Sequence, residues 1–240
     1  MSLFISFFNT FLYRPLFNGL ILIYNVVPGH DLGIAIIILT VLIKLIFAPL
    51  SKKAIQSQKA MTEIQPKIKE LQKKYKDNKE EQVKEIMALY KQHKVNPMSG
   101  CLPLLIQFPI IIALYKVFLH GMDGGQLSVL YNFVSRPQTL NVMFLGIVNL
   151  SSAGNIILAV LAGGFQFIQT KMMMPNKKQS QNKSASGGLD MMGSMMNQMT
   201  FMMPIITVYI AWKLPAALAL YWIVFTVFGI VQQYFTPNTI

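Results

Sequence analysis

Hydrophobic positions in this chain fall into long blocks separated by two strongly polar stretches, and the blocks have the length of bilayer spans. The first clear block is "IAIIILTVLIKLIFAPLSKK", Ile34 to Lys53, and it predicts a span over 31–50. From Ala54 the period changes. Met61, Ile64, Ile68, Leu71 and Tyr75 follow the alternating three-and-four spacing of a coiled-coil seam, and Val83, Ile86, Tyr90 and His93 repeat it after the polar turn "KDNKE". This pattern predicts a helical hairpin over 51–96, standing in water, with Pro66 kinking or restarting its first arm.

Asn96 and Pro97 end the hairpin, and a second span follows over 97–120. Pro103 and Pro109 lie within it, and the carbonyls they free require neighbouring helices, so this span should face the interior of a bundle. The remaining blocks give an extracytoplasmic loop at 121–153, a third span at 154–171, a Met-rich cytoplasmic loop at 172–198, a fourth span at 199–214, a fifth at 215–235 and a short tail at 236–240. Segment 1–30 is apolar and aromatic, broken by Arg14 and Pro15, and has no cleavage signature. It reads as an interfacial helix leading into the first span, with Phe17 to Val27 dipping into the membrane as the alternative. Thr200 to Leu214 make only about 22 Å of helix against a hydrocarbon core of ~30 Å, which predicts local thinning of the bilayer.

Composition agrees with this pattern. Of the 240 residues, 53% are hydrophobic and 12% charged, against roughly 25% charged in soluble domains. The fold class is therefore an all-α integral membrane protein: a bundle of five transmembrane helices with a cytoplasmic helical hairpin and an amino-terminal interfacial helix. The net charge of +12 is a statement about topology before it is one about nucleic acid. Ser51 to Asn96 holds twelve of the twenty-one basic residues and six of the nine acids, and the second loop carries Lys171, Lys177, Lys178 and Lys183 against Asp190 alone. By the positive-inside rule both loops face the cytoplasm, with the amino terminus outside the membrane and the carboxyl terminus inside. The single cysteine, Cys101, excludes an internal disulfide and reads as packing. Lys116 should snorkel outward, and His93 and His120, at element ends, should be solvated.

One position resists this scheme. Lys44 lies inside the first span, where a lysine costs ~2.5–3.5 kcal/mol on insertion scales, and no acid lies at its depth, since Asp31 stands at the outer end of that span. Three explanations compete: snorkelling, a proton or ion relay, and a water-filled cavity where the ammonium waits for an anionic group from another molecule. A relay needs acids or histidines at that depth in the spans, and there are none. The cavity requires polar neighbours, and Thr40, one turn away on the same face, Gln107, Gln166, Gln169, Thr207 and Thr226 supply them across all five spans. Such a groove has no acid-base pair, nucleophile or metal cluster, so no enzyme, metal or cofactor is expected.

At this point the chain resembles a known family. "KVNPMSGCLPLLIQFPIIIALY" is similar to the entry into the second core span of the YidC/Oxa/Alb membrane protein insertases. "LTVLIKLIFAPLSKK", "LQKKYKDNKEEQVKEIMALYKQHKVNP" and "FMMPIITVYIAWKLPAALALYWIV" are similar to other core segments in the same order, and together the likeness covers roughly 31–233. The resemblance implies a five-helix core around a hydrophilic groove open to the cytoplasm and to lipid, used to insert and fold membrane proteins, alone or with the Sec translocon and without a nucleotide. It places Lys44 where the family's groove cation stands, and Thr40 and Trp222 at substrate-contacting positions. Two departures bear on chemistry. The usual groove arginine is here a lysine, with no bidentate fork, and Trp222 replaces a common tyrosine, removing a hydroxyl.

The expected groove set is therefore Lys44, Thr40, Gln107, Gln166, Gln169 and Trp222. The expected partners are nascent membrane proteins, the ribosome, the Sec translocon and membrane lipids, with no specific DNA, the chain acting as a monomer. The tail "FTPNTI" carries no basic cluster for ribosome recruitment. The methionines of 172–203 read either as a pliable surface for client helices or as cover at the membrane interface. Rival readings are a small-solute transporter or channel, opposed by the absence of inverted repeats and of acids in the spans, and a structural membrane chaperone with no translocation role.

Overall fold

The computed structural model describes residues 2–93, 95, 102–121, 129–174 and 190–237. Cys101, Asp123, Lys177, Lys178, Lys183, the middle of the Met-rich loop and the last residues of the tail lie outside them, as do the side chains of His120 and Asp190. Among the described residues there are nine α-helices, and a two-stranded β-hairpin is the one sheet. The helices are α1 (Ser2–Phe8), α2 (Arg14–Val26), α3 (Leu32–Ile46), α4 (Ala48–Lys74), α5 (Lys79–Gln92), α6 (Leu102–Gly121), α7 (Ile156–Met172), α8 (Asp190–Lys213) and α9 (Ala216–Phe235). A π-helical turn, Asn9–Tyr13, joins α1 to α2.

Helix α9 is the axis of the bundle. Its first turns, rich in alanine, are fully buried, and α3, α6 and α7 pack around it. Small side chains there let the backbones approach closely, which is how helices associate when lipid supplies no hydrophobic drive. The loop before α7 closes that end of the bundle. Its backbone supplies partners to the free N–H groups that begin α9: Ala216 donates to the Ser152 carbonyl at 2.9 Å and Ala217 to that of Leu150 at 3.0 Å. Strands β1 (Met143–Phe144) and β2 (Val148–Asn149) pair antiparallel in the same loop. Asp31 ties that hairpin to α3: Oδ1 accepts from the N–H groups of Gly33 (2.7 Å) and Ile34 (3.1 Å), capping the helix, while Oδ2 accepts from that of Leu145 at 2.7 Å.

The amino-terminal segment is bound into this assembly. Phe17, Leu20, Ile21 and Tyr24 of α2 are buried in the common core. On its polar side Asn18 accepts from the Tyr131 N–H at 2.6 Å, and Asn25 donates to the Ser135 carbonyl at 2.7 Å. The Lys116 ammonium lies over the Phe8 ring, 5.1 Å from the centroid.

Two expectations about helices need correction. Helix α4 runs through Pro66 without restarting; the break comes earlier, at Phe47, where α3 and α4 meet at a bend of 67°. The seam on α5 departs from expectation at its first position: Val83 is 48% exposed and Gln82 is buried in its place, while Ile86 is buried as expected. Gln82 is drawn inward because its amide donates to the carbonyls of Gln72 (2.9 Å) and Tyr75 (3.4 Å), which end α4. His93 is met by Lys67 across the hairpin, Nζ to Nε2 at 3.3 Å, in an exposed contact. Helix α8 has 24 residues, about 36 Å, but its apolar part is Phe201–Lys213 alone, within the short fourth span expected from Thr200 to Leu214.

By length and hydropathy among the described residues, α9 alone is able to cross a bilayer, or two spans count if bent α3–α4 is one of them. The apolar parts of α6, α7 and α8 are shorter, Gln107–Leu119, Ile156–Met172 and Phe201–Lys213. The number of spans is thus not fixed by length.

Candidate polar groove around Lys44

Lys44 lies in the last turn of α3, next to the bend, and only 7% of it is exposed. It does not snorkel. Among the described residues it makes no ion pair, and its ammonium rests on the Phe225 ring of α9, 3.3 Å from the centroid, with Phe228 at 5.9 Å. The negative face of an aromatic ring is a partial substitute for hydration, worth about 2 kcal/mol when water is excluded. A carboxylate would be a better partner, and none stands there among the described residues.

Gly229 makes this approach possible. A Cβ at that position would strike the Gln169 amide and lie 3.7 Å from the Lys44 ammonium. The cation of α3, the amide of α7 and the bare backbone of α9 therefore meet at one point. One turn along α7, Gln166 accepts from the Trp222 indole N–H at 3.4 Å. Trp222, Phe225, Thr226 and Gly229 share one stripe of α9 by their three-and-four spacing.

The structure thus brings together Lys44, Gln166, Gln169 and Trp222 of the expected set. Thr40, one turn before Lys44, is buried, and its hydroxyl donates to the Ile36 carbonyl at 2.6 Å, which leaves lone pairs but no free proton. Thr226 is buried in the same way, donating to the Trp222 carbonyl at 2.8 Å. Gln107 belongs to a different contact, where its amide donates to the Tyr221 hydroxyl between α6 and α9. Thr207 is buried in α8. Sequence reasoning missed Phe225, Phe228, Gly229 and Tyr221. The stripe through Trp222 was the available signal, since it passes through Phe225 and Gly229 at helical spacing.

The cluster offers one cation, two amides and an indole where α3, α7 and α9 meet, with an aromatic ring rather than a carboxylate against the cation.

Comparison with known proteins fits this arrangement. The family described as "60Kd inner membrane protein" matches residues 22–240. A relative named membrane protein insertase YidC from Clostridium tetani is 38% identical over 198 residues, covering 82% of this chain and 77% of that one. One of the same name from Fusobacterium nucleatum is 32% identical over 228 residues, covering 94% and 97%. Other relatives are longer: the chain spans 35% of that from Syntrophus aciditrophicus, at 36% identity over 92% of its own length. A solved structure titled "Active YidC insertase crystal structure with the first transmembrane domain resolved" superposes with a TM-score of 0.63 and 26% identity, over 94% of this chain and 47% of that one. A bundle wound on α9, a buried cation without a carboxylate and a match over nearly the whole length lead to one statement: the chain belongs to the 60Kd inner membrane protein family, which includes the YidC membrane protein insertases.

Proposed function

We propose that this protein is a plasma-membrane insertase and folding chaperone that receives nascent membrane proteins in a groove between α3, α7 and α9. In this reading α3, α6, α7, α8 and α9 are the five spans, the hairpin stands in the cytoplasm and the amino terminus lies outside. The protein works as a monomer, without ATP hydrolysis, alone or beside the Sec translocon. Lys44 attracts acidic residues of the segment to be translocated, and Thr40, Gln166 and Gln169 accept or donate hydrogen bonds as that segment passes. Polar groups that would each cost several kcal/mol in hydrocarbon thereby find partners partway. The client's apolar helix then leaves along Trp222 into lipid, driven by burial of its own surface.

The observation that carries this reading is the buried Lys44 ammonium resting on the Phe225 ring, with no carboxylate beside it among the described residues. Its resting partner is weaker than a carboxylate, so a passing acid gains where the protein's own residues offer none. A client carboxylate must displace the ring, so the groove opens on engagement rather than standing open around a hydrated cation.

Photocrosslinkers at Thr40 and Trp222, facing a stalled nascent chain with one transmembrane segment, test it. Adducts to the translocating segment from both positions are expected. Passage of small solutes into vesicles, with no adduct at either position, would replace insertion by transport.

A further inference from the structure

A second polar site lies one helical turn beyond the Lys44 cluster, toward the hairpin. Gln233 follows Gly229 by four residues on α9, and Met172 and Met173 follow Gln169 by three and four on α7. Between these helix ends and the Gln58–Pro66 stretch of α4 is a cavity of about 310 Å³. Gln233 lines it, is 2% exposed, and its carbonyl oxygen is a buried side-chain atom without a hydrogen-bond partner. Such an atom costs ~1–3 kcal/mol unless something donates to it. Glu63, on the opposite wall, makes no ion pair among the described residues.

The charges in this cavity favour a cation. Its titratable side chains are Lys59 and Glu63, which cancel, and the Lys59 ammonium is already engaged with the Thr236 carbonyl just past the end of α9. The carboxyl ends of α7 and α9 both close on the site, each contributing about half a negative charge. Thr62 has spent its proton on the carbonyls of Gln58 (3.0 Å) and Met173 (3.3 Å). The unmet groups are therefore acceptors, flanked by the polarizable methionines 172–174.

We propose that this cavity binds the lysine or arginine side chain that flanks a client's transmembrane segment on its retained, cytoplasmic side. The ammonium or guanidinium head donates to Gln233 and Glu63, and its aliphatic stem lies against the methionines. The inference rests on the insertase reading and extends it. Lys44 takes the acids of the segment that crosses, and the Gln233 cavity takes the bases of the segment that stays, so client orientation is read at two points of opposite polarity on one groove.

The test uses the full-length protein in phosphatidylcholine and phosphatidylglycerol vesicles. Two single-span clients are compared, identical except that the retained flank carries two lysines or two glutamines. With the native protein the lysine client should insert better. Gln233→Leu and Glu63→Gln should each bring the ratio toward one, by about tenfold for the loss of a hydrogen bond to a charged group. Gln233→Glu, which adds a carboxylate, should raise it. A photocrosslinker at Gln58 should capture the client's lysine flank in the otherwise native protein, which covers the case of a variant that fails to fold.

Ratios unmoved by all three substitutions would overturn the proposal. So would a Gln58 crosslink confined to the protein's own Lys177 and Lys178, or one that goes only to phosphatidylethanolamine when that lipid is added. If neither client inserts with the native protein, the insertase reading itself fails, whereas insertion that depends on Lys44 but ignores the flank removes only this inference.

Discussion

Replacing Lys44 by alanine should abolish discrimination between acidic and neutral translocated segments while leaving neutral ones able to insert. The size of the effect follows from two opposing terms. A client carboxylate about 4 Å from the ammonium gains ~4 kcal/mol at an effective dielectric of 20. Capturing it means giving up the contact with Phe225, whose 3.3 Å separation and burial place it near ~2 kcal/mol. The difference of ~2 kcal/mol is roughly thirtyfold in the equilibrium for engaging the segment. In proteoliposomes, a client pair differing by two aspartates or two asparagines in the translocated segment reports this as a ratio of protease-protected fragments. Lys44→Ala should reduce the ratio to about one, Lys44→Glu should invert it, and Lys44→Arg should keep it. Phe225→Leu should increase it, because the acid no longer competes with a ring. If Lys44→Ala and the native protein give equal ratios, the cation is only packing and the mechanism is refuted.

Gly229→Val should lower thermal stability in detergent by ~1–3 kcal/mol, since the added carbons collide with the Gln169 amide beside Lys44. Asp31→Ala should cost about 2 kcal/mol, combining a lost helix cap with a lost tie to Leu145, and proteolysis of the 143–149 hairpin should accelerate with it. A double-mutant cycle of Gln107→Leu and Tyr221→Phe should give a coupling near 0.6 kcal/mol and below ~1.7, the range for hydrogen bonds between membrane helices; zero coupling would mean that the contact is not held. Burial pushes the Tyr90 phenol of the hairpin up from its ordinary value. Its neutral form is the one the fold favours, so stability should be intact below that ordinary value and fall as the pH rises past it, and Tyr90→Phe should flatten the alkaline limb of hairpin unfolding.

What the amino-acid order disclosed, and what it withheld, follow physical lines. Apolar run length and the change of period after Ala54 located α3, the hairpin and α9, because these are one-dimensional signals. The absence of acids in the apolar blocks singled out Lys44 on its own. The partner of Lys44 could not be read this way: Phe225 is far along the chain, and periodicity reports which residues share a face, not what lies opposite. The replacement of Val83 by Gln82 at the start of the α5 seam has a similar origin, since Gln82 looks solvent-facing until the carbonyls ending α4 are seen to need donors. At Pro66 the helix continues, whereas the real corner falls at Phe47, just before Pro49 in the first turn of α4, where proline is well tolerated.

That corner acts as a reduction gear. Helix α4 is an arm of about 40 Å, and Lys44 stands within about 5 Å of the pivot, three residues before it. A swing of about 5° carries the tip of the arm through ~3.5 Å and displaces the ammonium by less than ~0.5 Å. Whatever grips the far end of the hairpin can therefore wander over several ångströms while the cation stays on station, and only a large sweep of the arm would disturb it.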